Sequence, residues 1–140
     1  KALSGRVPLA VGISGESAGT ARRFACQLNE NTKVPAFWAE LPEFGHNLIN
    51  GFVRGARTSV APVFFAPTQS REERRLKACL AVMKEAGVRP LVIRDLAGGG
   101  VLELIAVGDL ASWELAKARG TDPTPIGPID RFKHFLAHSP

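Results

Sequence analysis

The sequence predicts an α/β fold, a small parallel sheet flanked by helices on both faces in three layers. Three observations carry this prediction. Short apolar runs bounded by glycine or proline alternate with longer stretches of helical period. The return from the helix stop at Gly87 to the apolar run at Pro90 is very short, as parallel strands joined through helices allow. The chain of 140 residues is 45% hydrophobic and 22% charged, which suits one domain over residues 1–140 with a core that needs no disulfide staples.

Val7-Pro8-Leu9-Ala10-Val11-Gly12-Ile13 reads as a buried strand. A loop of small residues, Ser14 to Thr20, leads into a helix with Ala21, Phe24, Ala25 and Leu28 on one stripe. That helix runs through residues 29–33 and stops before Pro35. Residues 35–55 read as irregular, rich in aromatics, with a short helix over 47–53. Val60-Ala61-Pro62-Val63-Phe64-Phe65 is the second strand, and Pro62, lacking an N–H, belongs near its start or on an edge. Ser70-Arg71-Glu72-Glu73 has the form of a capping box, and the helix it opens carries Leu76, Cys79, Leu80 and Met83 before Gly87. Pro90-Leu91-Val92-Ile93 is the third strand. After Gly98-Gly99-Gly100 a long helix, Leu102 to Arg119, is apolar on most sides. Asp122-Pro123-Thr124-Pro125 is a stiff connector, and Pro128 suits the first position of a last helix ending near Ala137.

Composition narrows the function classes. Cys26 and Cys79 form no disulfide framework and lack metal-ligand spacing, so no metal is expected and a reducing, cytoplasmic setting is. The sequence has neither an eighteen-residue apolar run nor a signal-peptide pattern, which argues against membrane and secretion. The net charge of +5 favours an anionic partner. Nucleic acid is a poor candidate: the densest basic cluster, Arg71, Arg74, Arg75 and Lys77, is interleaved with Glu72 and Glu73 and reads as a solvated helix face. The chain begins at Lys1, which fits a piece of a longer polypeptide.

Three residues are awkward for folding alone. Glu30 falls in a helix's last turn, where the helix dipole disfavours a carboxylate and raises its proton affinity. It reads either as a general base or acid, or as a solvated side chain paired with Lys33. Lys133 shares a stripe with Ile129, Phe132 and Leu136, which directs it toward the domain body or its margin. It is then a snorkelling lysine or one facing an anionic ligand. His46 follows Gly45 in an irregular stretch, where a histidine is either structural or a proton carrier. His134 and His138 read as exposed. The loop from Gly12 to Thr20 lacks the spacing of a phosphate-binding loop, and Glu16 would repel a phosphate.

Gln27-Leu28-Asn29-Glu30-Asn31-Thr32-Lys33-Val34-Pro35-Ala36-Phe37 and Leu41-Pro42-Glu43-Phe44-Gly45-His46-Asn47 resemble the Q-L-N-E-N-x-K-x-P-A-F and L-P-E-x-x-H-N signature of bifunctional phosphoglucose/phosphomannose isomerases, of the sugar isomerase (SIS) fold superfamily. Gly108-Asp109-Leu110-Ala111-Ser112, Gly120-Thr121-Asp122-Pro123-Thr124-Pro125-Ile126 and Ile129-Asp130-Arg131-Phe132-Lys133 resemble that family's C-terminal stretches. The resemblance spans nearly the whole chain and corresponds to the second of the family's two SIS domains. It implies aldose–ketose isomerisation of a phosphorylated hexose through a cis-enediol, without metal or organic cofactor. Glu30 would move the proton between C1 and C2, while His46, assisted by Lys133, would open the ring. Asn29, Lys33, Asn47 and Thr124 would contact the substrate.

The resemblance also implies an N-terminal SIS domain in the same polypeptide, which supplies the phosphate site, and a homodimer in which the histidine comes from the neighbouring subunit. This chain alone would then be inactive. Leu48 stands where the family often has an acidic residue, and Arg22-Arg23-Phe24 where it usually has Arg-Trp. The competing reading is a non-catalytic SIS module that binds phosphosugars or dimerises, since fold does not fix function.

Overall fold

The computed structural model describes residues 3, 5–52, 59–96 and 98–139. Among them, β1 (Val7–Ile13), β2 (Phe37–Leu41), β3 (Val60–Phe65) and β4 (Leu91–Ile93) form one sheet, every pairing parallel, in the order β2-β1-β3-β4. Five helices accompany it: α1 (Ala18–Thr32), α2 (Glu43–His46), α3 (Glu73–Glu85), α4 (Gly100–Ala118) and α5 (Gly127–His138).

Side chains alternate across a strand, so each face of the sheet collects its own core. Leu9, Val11, Ile13 and Phe64 pack with Phe44 of α2 and Leu76, Cys79 and Met83 of α3. On the other face Ala10, Val63 and Phe65 meet Ala21, Phe24, Ala25 and Leu28 of α1 and Leu104 of α4. Edge-to-face aromatic pairs seal both layers, Phe44 on Phe64 at 5.4 Å and Phe24 on Phe65 at 5.1 Å. The expected three-layer α/β fold is therefore the observed one.

Residues 35–55, read as irregular, contain β2, an edge strand whose Phe37 and Trp38 are exposed. Phe37 and Trp38 lie on opposite faces and are both exposed, so the run has no alternation of apolar and polar residues that marks a strand. The short helix expected over 47–53 is a 3-10 turn, Leu48–Gly51; residues 53–58 lie outside the described residues. Pro62 stands near the start of its strand, one of the two expected places, although that strand is interior. However, β4 pairs only with Val63, Phe64 and Phe65, so the missing N–H costs no bond toward β4. The capping box does not form. α3 begins only at Glu73, Ser70 Oγ accepts from the Glu72 N–H at 3.1 Å, and the Glu73 carboxylate accepts from Arg94 Nη2 at 2.9 Å instead of reaching back. An ion pair with a neighbouring loop has displaced the local one.

α4 is apolar nearly all round. It packs on α1 with its inner side, aided by the Arg23–Asp109 ion pair at 2.8 Å, and leaves Leu102, Leu110 and Trp113 exposed on the outer side. Beyond β4, buried Asp95 ties two loops together, accepting from the Thr68 N–H at 2.5 Å and the Gly100 N–H at 3.3 Å. Hydrogen bonding from Thr68, its backbone N–H first, holds the Asp95 carboxyl below the usual carboxylate range against the opposing effect of burial. A carboxylate whose pKa falls on folding stabilises above its unfolded pKa and loses that contribution as pH falls through the folded value. Asp95→Asn is therefore expected to be less stable than the parent at pH 7, with the gap closing below about pH 4. Urea unfolding at both pH values checks this, and equal stability at pH 7 would remove the role assigned to Asp95.

Candidate functional site

The last turn of α1 holds four polar side chains around Glu30, and each has a partner within the chain. Asn29 Oδ1 accepts from the Ala36 N–H at 2.7 Å, clasping the end of α1 to the start of β2. Asn31 Nδ2 donates to Ser112 Oγ at 2.9 Å and to Gln27 Oε1 at 3.2 Å. Thr32 Oγ1 donates to Leu28 O at 2.6 Å. Lys33 sits in the left-handed conformation at φ 55°, ending the helix. Its Nζ donates to Glu30 O at 2.6 Å, Pro123 O at 3.1 Å and Pro125 O at 2.6 Å. The Glu30 carboxylate is exposed and makes no hydrogen bond or ion pair among the described residues. Lys33 binds the Glu30 main chain, so the pairing with Lys33 weighed from sequence is not formed.

Lys33 thus joins the helix end to the connector before α5. The connector has its own brace: the Thr124 N–H donates to Asp122 Oδ1 at 2.9 Å. Thr124, through its N–H and then its hydroxyl, holds the Asp122 carboxyl below its ordinary range, and the Lys33 ammonium adds to the effect. Lys33→Ala should loosen residues 121–126, raising their amide exchange, and cost about 1 kcal/mol for exposed charge-assisted bonds. Lys33→Gly suits the left-handed backbone and should restore part of that stability, yet leave the connector loose. Unchanged exchange in both variants would contradict the brace.

His46 ends α2, with the cis Leu41–Pro42 peptide just before that helix, and is exposed. It lines a cavity of about 370 Å³ together with Leu41, Gly45, Arg75 and Cys79. Burial pushes the Cys79 thiol up, which keeps it an inert wall. Asn47 Nδ2 donates to Glu43 Oε1. Arg75, expected on a solvated helix face and largely exposed there, also lines this cavity and is paired with Glu72 at 2.6 Å. Its place in a charge-alternating helix gave no signal of the cavity.

These groups do not meet within one chain. The Asn29–Ala36 clasp fixes Glu30 beside the start of β2, whereas His46 lies beyond the strand's end at Leu41. At about 3.3 Å per residue, the strand alone separates them by roughly 13 Å. Glu30, Lys33 and the root of α5 do share one end of the sheet. Lys133 corrects an expectation: α5 is exposed along its length, so its stripe faces solvent and not the domain body. The stripe was read from helical period, which says which residues share a side but not what that side meets.

At the opposite end, the loop after β1 opens toward a cavity of about 430 Å³ between the carboxyl ends of β1 and β3, where the sheet order reverses and α/β proteins often place ligands. Glu16 is among its lining residues and accepts from the Arg71 N–H at 3.0 Å.

Comparison with known proteins bears on this arrangement. A family model described as the bacterial phospho-glucose isomerase C-terminal SIS domain matches residues 1–136. A bifunctional phosphoglucose/phosphomannose isomerase of Aquifex aeolicus is 28% identical over 126 residues, covering 86% of this chain and 39% of that protein. One from Pyrobaculum calidifontis is 30% identical over 118 residues, covering 84% of this chain and 37% of its own. The chain therefore spans about two fifths of the length of these relatives. Among solved structures, the C-terminal domain of glucosamine-fructose-6-phosphate aminotransferase from Francisella tularensis has a TM-score of 0.63 at 17% identity, covering 86% of this chain and 38% of that one. Glucosamine-6-phosphate deaminase from Thermotoga maritima has a TM-score of 0.56 at 13% identity, over 89% and 40%. These two likenesses speak for the fold.

Proposed function

Because this chain belongs to the bacterial phospho-glucose isomerase C-terminal SIS domain family, we propose that it is the second half of an enzyme that interconverts phosphorylated aldohexoses, glucose 6-phosphate and mannose 6-phosphate, with fructose 6-phosphate. The observation that carries this reading is the state of Glu30. In a turn where Asn29, Asn31, Thr32 and Lys33 are all committed to holding the chain, its carboxylate alone is left without a partner among the described residues.

An enediol path needs such a group. The carboxylate takes the proton from C2 as the carbonyl shifts, then returns it to C1, and one base serves both carbons because the enediol is planar and cis. Ring opening requires a proton to leave the anomeric hydroxyl and another to reach the ring oxygen, work suited to an imidazole, whose ring nitrogens can accept and donate. We assign that to His46, with the Lys133 ammonium stabilising the charge that develops on oxygen. Since Glu30 and His46 stand at opposite ends of β2, the reading places His46 in a second copy's site. The phosphate is held by the preceding domain, and Glu16 keeps it out of the loop after β1.

The test is a coupled assay of the full-length polypeptide on both hexose phosphates. Turnover of either supports the reading. Binding of sugar phosphate without turnover replaces it with a non-catalytic phosphosugar module, and neither binding nor turnover ends both.

A further inference from the structure

α5 is amphipathic and yet exposed along its whole length. Ile129, Phe132, Phe135 and Leu136 lie along one side, and Phe132, Phe135 and Leu136 are each 60–64% exposed. Aromatic and aliphatic side chains of this size expose on the order of 400 Å² together, as much apolar surface as the largest patch on an ordinary monomer. A helix of 12 residues exposed along its length is also marginal in water, so α5 needs a surface to lie on. Its root is fixed, because Lys33 holds the carbonyls of Pro123 and Pro125.

We infer that the apolar side of α5 is covered by the preceding domain of the same polypeptide. This rests on the two-domain reading above, since the chain spans only 39% of the length of its Aquifex relative. The tether favours that domain as the occupant, because it holds the domain at an effective concentration on the order of millimolar. The docked helix carries Lys133 at the margin of its apolar stripe, and so delivers the ammonium to the seam between the domains.

Two measurements on the full-length protein test this, and neither reads turnover, so failure of the isomerase reading leaves them interpretable. In the unmodified protein, amides of residues 130–138 are expected to exchange about 100-fold more slowly than in a lone helix of this length. Exchange at the free rate overturns the inference. Phe132→p-benzoylphenylalanine, irradiated in the folded protein, is expected to form an adduct within one chain, to a peptide preceding residue 1. An adduct of doubled mass, or one confined to residues 1–140, overturns it.

Discussion

Glu30→Gln, introduced into the full-length polypeptide, is expected to lower kcat for hexose phosphate isomerisation by about 10²–10⁴-fold, the range that a positioned acid–base group contributes. KM should change little, because glutamine keeps the shape and the hydrogen-bonding oxygen. Thermal stability should stay within a degree or two, since the carboxylate has no partner among the described residues to lose. Asn29→Ala is the contrasting case. It removes the clasp onto Ala36, so stability should fall alongside activity. Unaltered turnover in Glu30→Gln would take the proton-transfer role away from this residue, whatever the protein's activity proves to be.

The largest effect on folding is expected at Gly12. A Cβ built there would stand 2.5 Å from both Ala18 Cα and Ser17 O and 2.7 Å from Ala18 N. All three are backbone atoms, so none can swing aside as a side chain does, and the start of α1 would have to move off the sheet. Moving it strains Ser17, whose buried hydroxyl accepts from the Ile13 N–H at 3.0 Å and donates to Phe65 O at 2.6 Å. Gly12→Ala should therefore cost about 3 kcal/mol or more, a large share of the stability of a typical domain. Gly19→Ala, in the first turn of α1 with no atom within 4 Å of its added Cβ, should be neutral or mildly stabilising, by less than about 1 kcal/mol. Urea unfolding of the two variants separates steric exclusion from helix propensity, and matching midpoints would refute the close approach.

Some of this was written into the order of residues. Runs such as Val7 to Ile13 and Val60 to Phe65 are apolar enough to need burial on both sides, and the sheet supplies it. β2 was hidden because an edge strand with Phe37 and Trp38 turned outward does not look buried on either face. Glu30 could be singled out from its helix-terminal position alone. The use of Lys33 could not, because two of its three acceptors lie some ninety residues along the chain, beyond the reach of any local pattern. The same holds for Ser70 and Glu73. Their spacing fits a reciprocal cap, but Arg94 offers Glu73 a charged partner that only the folded sheet brings near.

The outer side of α4 has a practical sequel. Leu102, Leu110 and Trp113 make a greasy strip on a chain whose net charge of +5 keeps copies apart in dilute buffer. Added salt screens that repulsion and leaves the strip's attraction intact or stronger. Handled apart from whatever normally shields it, this segment should cloud as ionic strength rises and clear on desalting, so its colloidal behaviour is set by the buffer.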